Sequence, residues 1–188
     1  MDTVRGGYMK KTLDLTRTAL MTVVISVCAW ISVPSVIPFT LQTFGIFLTM
    51  KLIGGKNGTL AVLLYVILGI VGVPVFSGFS SGLGCIIGPT GGYITGFIIL
   101  GLIYWLFEKN MTGRFMEDIV LTGGLAACYL FGTVWFYLYM NRNGTDISFL
   151  KALGMCVLPY IIPDMLKLLI ADLIAGRIKK HAGKDMTE

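Results

Sequence analysis

Charge is what this sequence has least of. Asp, Glu, Lys and Arg make up 13% of its 188 residues, where a soluble domain carries about 25%. The missing charge is also unevenly distributed: none occurs from Thr18 to Met50, from Asn57 to Phe107, or from Ile119 to Asn141. A membrane-spanning helix needs only about 20 apolar residues, so each gap holds one or two spans. With 55% of the chain hydrophobic, the membrane segments are the protein. A cleaved signal peptide does not explain the pattern, because apolar stretches recur well beyond the basic start.

Other absences narrow the function. Histidine occurs once, as His181 in a basic tail, and the four cysteines, Cys28, Cys85, Cys128 and Cys156, lie singly in apolar stretches with no CxxC pair. That pattern builds no metal site, and the cysteines read as small buried hydrophobes. Intramembrane hydrolysis would need a nucleophile beside a base, or a metal cluster. The apolar stretches contain neither a histidine nor a carboxylate dyad, so the chain is expected not to be an enzyme and to carry no metal or cofactor of its own. The net charge of +5 does not imply a nucleic-acid partner, because the basic residues flank the spans, where topology accounts for them.

Reading outward from the charge gaps predicts six helices at roughly 12–33, 41–53, 59–72, 91–107, 119–140 and 150–178, one membrane domain filling residues 1–188 with about 12–178 embedded. The second and third helices are short. Gly54-Gly55 and Asn57-Gly58 predict a tight turn between them, and Asn143-Gly144 another between the fifth and sixth. With the N-terminus inside, the cytoplasmic segments collect Arg5, Lys10, Lys11, Arg17, Lys51, Lys56, Lys109, Arg114, Arg177, Lys179, Lys180 and Lys184, leaving only Arg142 and Lys151 outside. This asymmetry orients the chain with both termini in the cytoplasm.

That orientation places all six prolines in outer loops or the outer half of the last helix. Segment 72–92 is too broken by glycine and proline for a regular helix and too apolar for a solvated loop. Irregular backbone at membrane depth is tolerated only where protein buries it or where it lines a cavity, so a pocket near the outer face is expected. Beneath it, Lys167 stands inside the last helix three residues after Asp164, on the same face. Each charge costs roughly 2.5–3.5 kcal/mol at mid-membrane, and both need partners. The pair either neutralises itself to hold the helix in register or forms a polar site for a ligand that donates to a carboxylate and offers negative charge to an ammonium. Asp172 reads instead as an end-of-helix charge near Arg177. Thr40, Gln42, Ser77, Ser80 and Ser81 are further polar candidates, and Phe76, Phe79, Tyr93, Tyr129 and Trp135 candidate aromatic walls.

Five segments in this order, Pro38–Gln42, Gly72–Phe76, Gly88–Tyr93 with Gly96-Phe97, Tyr129–Trp135 and Leu158–Lys167, resemble the BioY family, the biotin-specific S components of energy-coupling factor (ECF) transporters. The resemblance runs from about Ala19 to Ala175. It implies a six-helix S-component fold in the plasma membrane that binds one biotin, as substrate rather than cofactor, near the outer face under the first and third outer loops. It further implies that Asp164 accepts from the ureido ring and that Lys167 lies on the carboxylate side. Gln42, Phe76, Gly82, Gly92, Tyr93 and Tyr129 become pocket candidates, with Ser80 or Ser81 as the loop's polar contact.

The resemblance implies partners as well: a transmembrane coupling subunit and two ATPase subunits, consistent with the absence of a Walker motif from this chain. Such components offer helix-one small residues to the coupling subunit, because small side chains permit close helix approach. This chain departs from alanines spaced by four, since Ala19 is followed by Val23. The best local pattern is Thr18, Thr22 and Ser26. The competing reading is an autonomous secondary carrier in which Asp164 and Lys167 also relay a proton.

Overall fold

The structure, a computed structural model, describes residues 2–35 and 37–184 and the side chains of residues 11–35 and 37–181. Arg5, Lys10 and Lys184, among the orienting charges, fall outside those side chains. Helix α1 (Asp2–Trp30) is followed by two short paired strands, β1 (Ser32–Val33) and β2 (Phe39–Thr40), and then by α2 (Gln42–Val71). After an irregular outer segment holding the short helix α3 (Leu83–Ile87) come α4 (Gly91–Phe107), α5 (Arg114–Arg142), α6 (Phe149–Cys156) and α7 (Leu158–Lys184).

The 30-residue run of α2 is two helices. Gly54 has φ 79° and ψ 173°, outside helical geometry, and Gln42 Nε2 lies 2.6 Å from Tyr65 Oη. In a straight helix, 23 residues would separate those groups by about 35 Å, so the chain reverses at Gly54. Arms 42–53 and 55–71 therefore pack antiparallel, as the Gly54-Gly55 signal predicted, although the second arm starts directly at Gly55 and Asn57-Gly58 lies inside it. Six helical passages result: α1, the two arms of α2, α4, α5, and α6 with α7.

The other boundaries shift for local reasons. Helix α1 stops at Trp30 rather than 33, because Val33 precedes Pro34 and such residues favour extended backbone; Ser32 and Val33 instead pair antiparallel with Thr40 and Phe39. The second arm of α2 ends where Gly72 takes φ 112° and the Val73 N–H reaches the Leu68 carbonyl at 3.0 Å, closing the last turn. The predicted last helix is broken at Val157, two residues before Pro159, whose ring carries no N–H for the helical ladder.

The first arm of α2 has 12 helical residues, about 18 Å at 1.5 Å each, against a hydrocarbon core about 30 Å thick. Its inner end is fixed at the cytoplasmic side, where the Gly55 N–H donates to Glu108 Oε1 at 2.9 Å. The shortfall therefore lies at the outer end. There Ile37, Pro38 and Thr40 border a space at the arm's start.

A charge cluster pins the inner ends together. Lys51 is 2% exposed, with its Nζ 2.7 Å from Asp118 Oδ1 on α5, 2.8 Å from Asp172 Oδ1 on α7 and 3.6 Å from Glu117. Two sequence expectations are corrected here. Lys51 is buried within the bundle, and Asp172 pairs with it rather than serving as an end-of-helix charge beside Arg177. A Cβ at Gly54 would meet Glu108 Oε1 at 2.6 Å in a backbone region that side chains rarely adopt. Gly54→Ala should therefore cost about 1–3 kcal/mol and lower the thermal midpoint in detergent, whereas Gly123→Ala, on an exposed helix face with nothing within 4 Å, should leave it unchanged or higher.

Candidate functional site

The space above the short arm is a cavity of about 100 Å³. One water needs about 10–15 Å³, so this volume accommodates a small organic molecule. Its floor is the outer half of α7, where Asp164 is 3% and Lys167 6% exposed. Three residues of helix bring the two side chains onto one face, and Lys167 Nζ lies 2.7 Å from Asp164 Oδ1.

The pair is embedded in a wider network. Thr43, in the first turn of α2, donates to Asp164 Oδ1 at 2.8 Å, and the Tyr129 hydroxyl on α5 donates to Asp164 Oδ2. Lys167 donates to the Thr40 carbonyl at 2.6 Å and to Thr43 Oγ1 at 3.2 Å, and its ammonium sits 4.2 Å from the centre of the Phe39 ring. Counting donors, the ammonium has all three protons engaged. The carboxylate, with about four acceptor sites, accepts three bonds and keeps one free. Helices α2, α5 and α7 and the backbone of β2 thus meet at one ion pair.

Two loops form the roof. The Tyr160 hydroxyl on α7 donates to the Ile37 carbonyl and lies 3.1 Å from Ser35 Oγ, holding the first outer loop down at those two residues. The outer segment is held by two indole N–H groups, Trp30 to the Pro74 carbonyl at 2.8 Å and Trp135 to the Gly88 carbonyl at 2.9 Å. Trp30 also stacks on Phe79 at 5.1 Å, and Phe79 takes φ 58°, the only positive value at a non-glycine among the described residues. The expected apolar fold-back over the bundle is present, with a 3₁₀ turn at Ser77–Phe79 and the short helix α3 within it.

Of the predicted ligand residues, Asp164, Lys167, Gln42, Phe76, Ser80, Tyr93 and Tyr129 line the cavity. Ser81, Gly82 and Gly92 do not. The Ser81 carbonyl accepts from Cys85 Sγ at 3.4 Å, and Gly82 uses φ 91° to turn into α3. Gly92 serves helix packing: a Cβ there would lie 2.3 Å from that of Trp135 on α5. The helix-one stripe is also turned inward, with Thr18, Thr22 and Ser26 all buried and Thr22 bonding the Ala61 carbonyl of α2 at 3.1 Å. Ala19 and Val23 are the members of that set that face outward. Thr43, Tyr160 and the thiols of Cys85, Cys128 and Cys156 line the cavity without having been singled out as site residues. Isolated cysteines carry no spacing signal, and Thr43 could have been found from its place one residue after Gln42, at the helix start facing the predicted pair.

A helical membrane bundle that encloses a small cavity on its outer side, over a buried ion pair with acceptor capacity left, is a membrane protein built to bind a small polar molecule. Its lineage is explicit: the chain belongs to the BioY family, which it matches over residues 3–184. The biotin transporter BioY of Thermotoga maritima is 38% identical over 168 residues, 89% of this chain and 96% of that protein. The probable biotin transporter BioY of Pyrococcus horikoshii is 38% identical over 170 residues, 90% and 98% of the two chains. The crystal structure of the S-component for biotin from an ECF-type ABC transporter is similar, with a TM-score of 0.80 at 28% identity, covering 91% of this chain and 93% of that one.

Removing one member of a buried pair leaves an uncompensated charge, whereas removing both can be nearly neutral. Asp164→Leu should therefore lower the ligand-free thermal midpoint, by an amount equivalent to about 3–5 kcal/mol, and Asp164→Leu with Lys167→Met should recover most of the loss. A double variant no more stable than the single one would show that Asp164 acts through Thr43 and Tyr129 rather than through Lys167.

Proposed function

We propose that this chain is the biotin-binding S component of an ECF-type vitamin uptake transporter, a multi-pass protein of the plasma membrane. The observation that carries the reading is the Asp164–Lys167 pair at the floor of the outer cavity in a BioY-family chain. Biotin presents two N–H groups and a carbonyl on its ureido ring and a carboxylate on its side chain. The free acceptor site of Asp164 suits a ureido N–H, a charge-assisted bond contributing about 1.5–3 kcal/mol. The ammonium of Lys167 suits the carboxylate, but every proton is already engaged, so the ligand has to displace a bond. The Thr43 contact, longest of the three at 3.2 Å, is the one to yield.

Lys167→Met separates this role from that of a structural counter-ion. Calorimetric titration should show biotin weakened about tenfold to a hundredfold, a loss equivalent to about 1.4–2.7 kcal/mol, with biotin amide, which lacks the carboxylate, much less affected. Equal losses for both ligands would make Lys167 a tether for β2 through Thr40 and Phe39, and preference of the unaltered protein for riboflavin or thiamine would overturn the biotin assignment.

Energy for transport comes, in this reading, from the transmembrane coupling subunit and two ATPase subunits. Their docking face on α1 includes the outward Ala19 and Val23 rather than the buried Thr18, Thr22 and Ser26. Proteoliposomes containing this chain alone should bind biotin without accumulating it, and accumulation should require the coupling and ATPase subunits with ATP. Accumulation by the chain alone under a pH gradient would instead support an autonomous carrier with a proton relay at Asp164 and Lys167.

A further inference from the structure

We propose that Tyr65, which does not line the cavity, is a positioning residue that sets two of its walls: the amide of Gln42 and the ring of Phe76. Tyr65 lies in the second arm of α2 and is fully buried. Its hydroxyl accepts from Gln42 Nε2 at 2.6 Å, joining the start of the first arm to the second. Its ring meets that of Phe76 edge-on, with centroids 5.4 Å apart and planes at 76°, the orientation favoured by aromatic quadrupoles. One turn further along, Gly69 supplies the rest of the cradle, since a Cβ there would lie 2.0 Å from Phe76 Cζ. One helical face therefore presents a hydroxyl to the polar wall and a ring edge and bare backbone to the aromatic wall.

Gln42 needs such a fixture. A primary amide carries two N–H donors and a carbonyl with two lone pairs, and on a free side chain these groups turn. Here one N–H goes to Tyr65, while the carbonyl accepts from the Thr40 hydroxyl at 3.4 Å. One N–H and one lone pair are left for a ligand, in an orientation set from behind the wall. The tyrosine hydroxyl decides which edge of the amide the cavity presents, and so whether it favours a donor or an acceptor at that point.

Gln42 is the only glutamine in the chain, which provides a test with two independent readouts. Selective ¹⁵Nε2-glutamine labelling in detergent micelles gives a single side-chain amide, with one proton shifted downfield by its bond to Tyr65 and slow to exchange with water. Tyr65→Phe, which keeps the ring against Phe76, should return both protons to free-amide positions. A free-amide pair in the unaltered protein overturns the proposal whether or not biotin binds, so this readout stands apart from the biotin reading. The second readout, which rests on that reading, is a double-mutant cycle: Tyr65→Phe should weaken biotin about three- to tenfold, and by less than twofold when Gln42 is already Leu. Equal losses in the two backgrounds, or no loss in the first, with an unchanged ligand-free thermal midpoint, would reduce Tyr65 to a packing residue. Failure of the unaltered protein to bind biotin would remove the biotin assignment while the amide spectra still decide the role of Tyr65.

Discussion

An ammonium group buried inside a membrane bundle is cut off from bulk water, so protein has to supply most of its hydrogen bonding. At Lys167 the suppliers are a backbone carbonyl of the loop, a threonine of α2 and a carboxylate of its own helix. Each comes from a different part of the chain. Meeting that single requirement fixes where β2 lies, which way the first turn of α2 faces and how α7 is rotated. Tyr129 then brings α5 into the same arrangement through the other oxygen of the carboxylate. A soluble protein could leave such a lysine to solvent and place these elements by apolar packing alone.

A second polar layer repeats the arrangement two turns lower. Asp164 and Asp172 are eight residues apart on α7, about 12 Å along the axis, and Thr43 and Lys51 are eight apart on α2. The upper layer joins α2, α5 and α7 through Thr43, Tyr129 and the Asp164–Lys167 pair, and the lower layer joins the same helices through Lys51, Asp118 and Asp172. The two layers differ in balance: the upper has one charge of each sign, while Lys51 stands among three carboxylates. Between polar layers the contacts are apolar, and lipid supplies no hydrophobic force to drive them together, so the directional bonds at both levels set the register of the helices.

Much of this was legible in the sequence because the bilayer punishes ambiguity. Charge-free runs can only be spans, and a lone Asp-x-x-Lys within one can only face inward; both inferences rest on solvation cost and need no knowledge of packing. The reversal at Gly54 was readable because two adjacent glycines in a short apolar run leave few alternatives. Depth and facing were less accessible. Lys51 counts as a surface charge by its position next to a turn, yet its acidic partners lie 66 to 121 residues away, a separation no local pattern reveals. The same applies to Thr18, Thr22 and Ser26, whose small size permits close approach to any helix and does not say whether the neighbour belongs to the same chain. Gly92 shows the reverse case: a glycine beside pocket residues packs against Trp135 and does not line the cavity. The resemblance pointed to motifs that lie around the cavity, and the structure shows residue by residue which side chains line it.

The outer segment is fastened at both ends, to Trp30 near its start and to Trp135 near its finish. A strap buttoned twice cannot swing aside like a door. Its middle is tied as well, since the Gly82 N–H donates to the Gly69 carbonyl of α2 at 2.7 Å and Phe79 is held against Trp30 by ring stacking. Between those ties the turn at Ser77–Phe79 is held at the surface by one aromatic contact, several residues removed from the charges below. Polar and aromatic contacts are thereby divided between different parts of the molecule: the buried pair lies at the floor of the cavity, and the stacked rings lie on the outer surface.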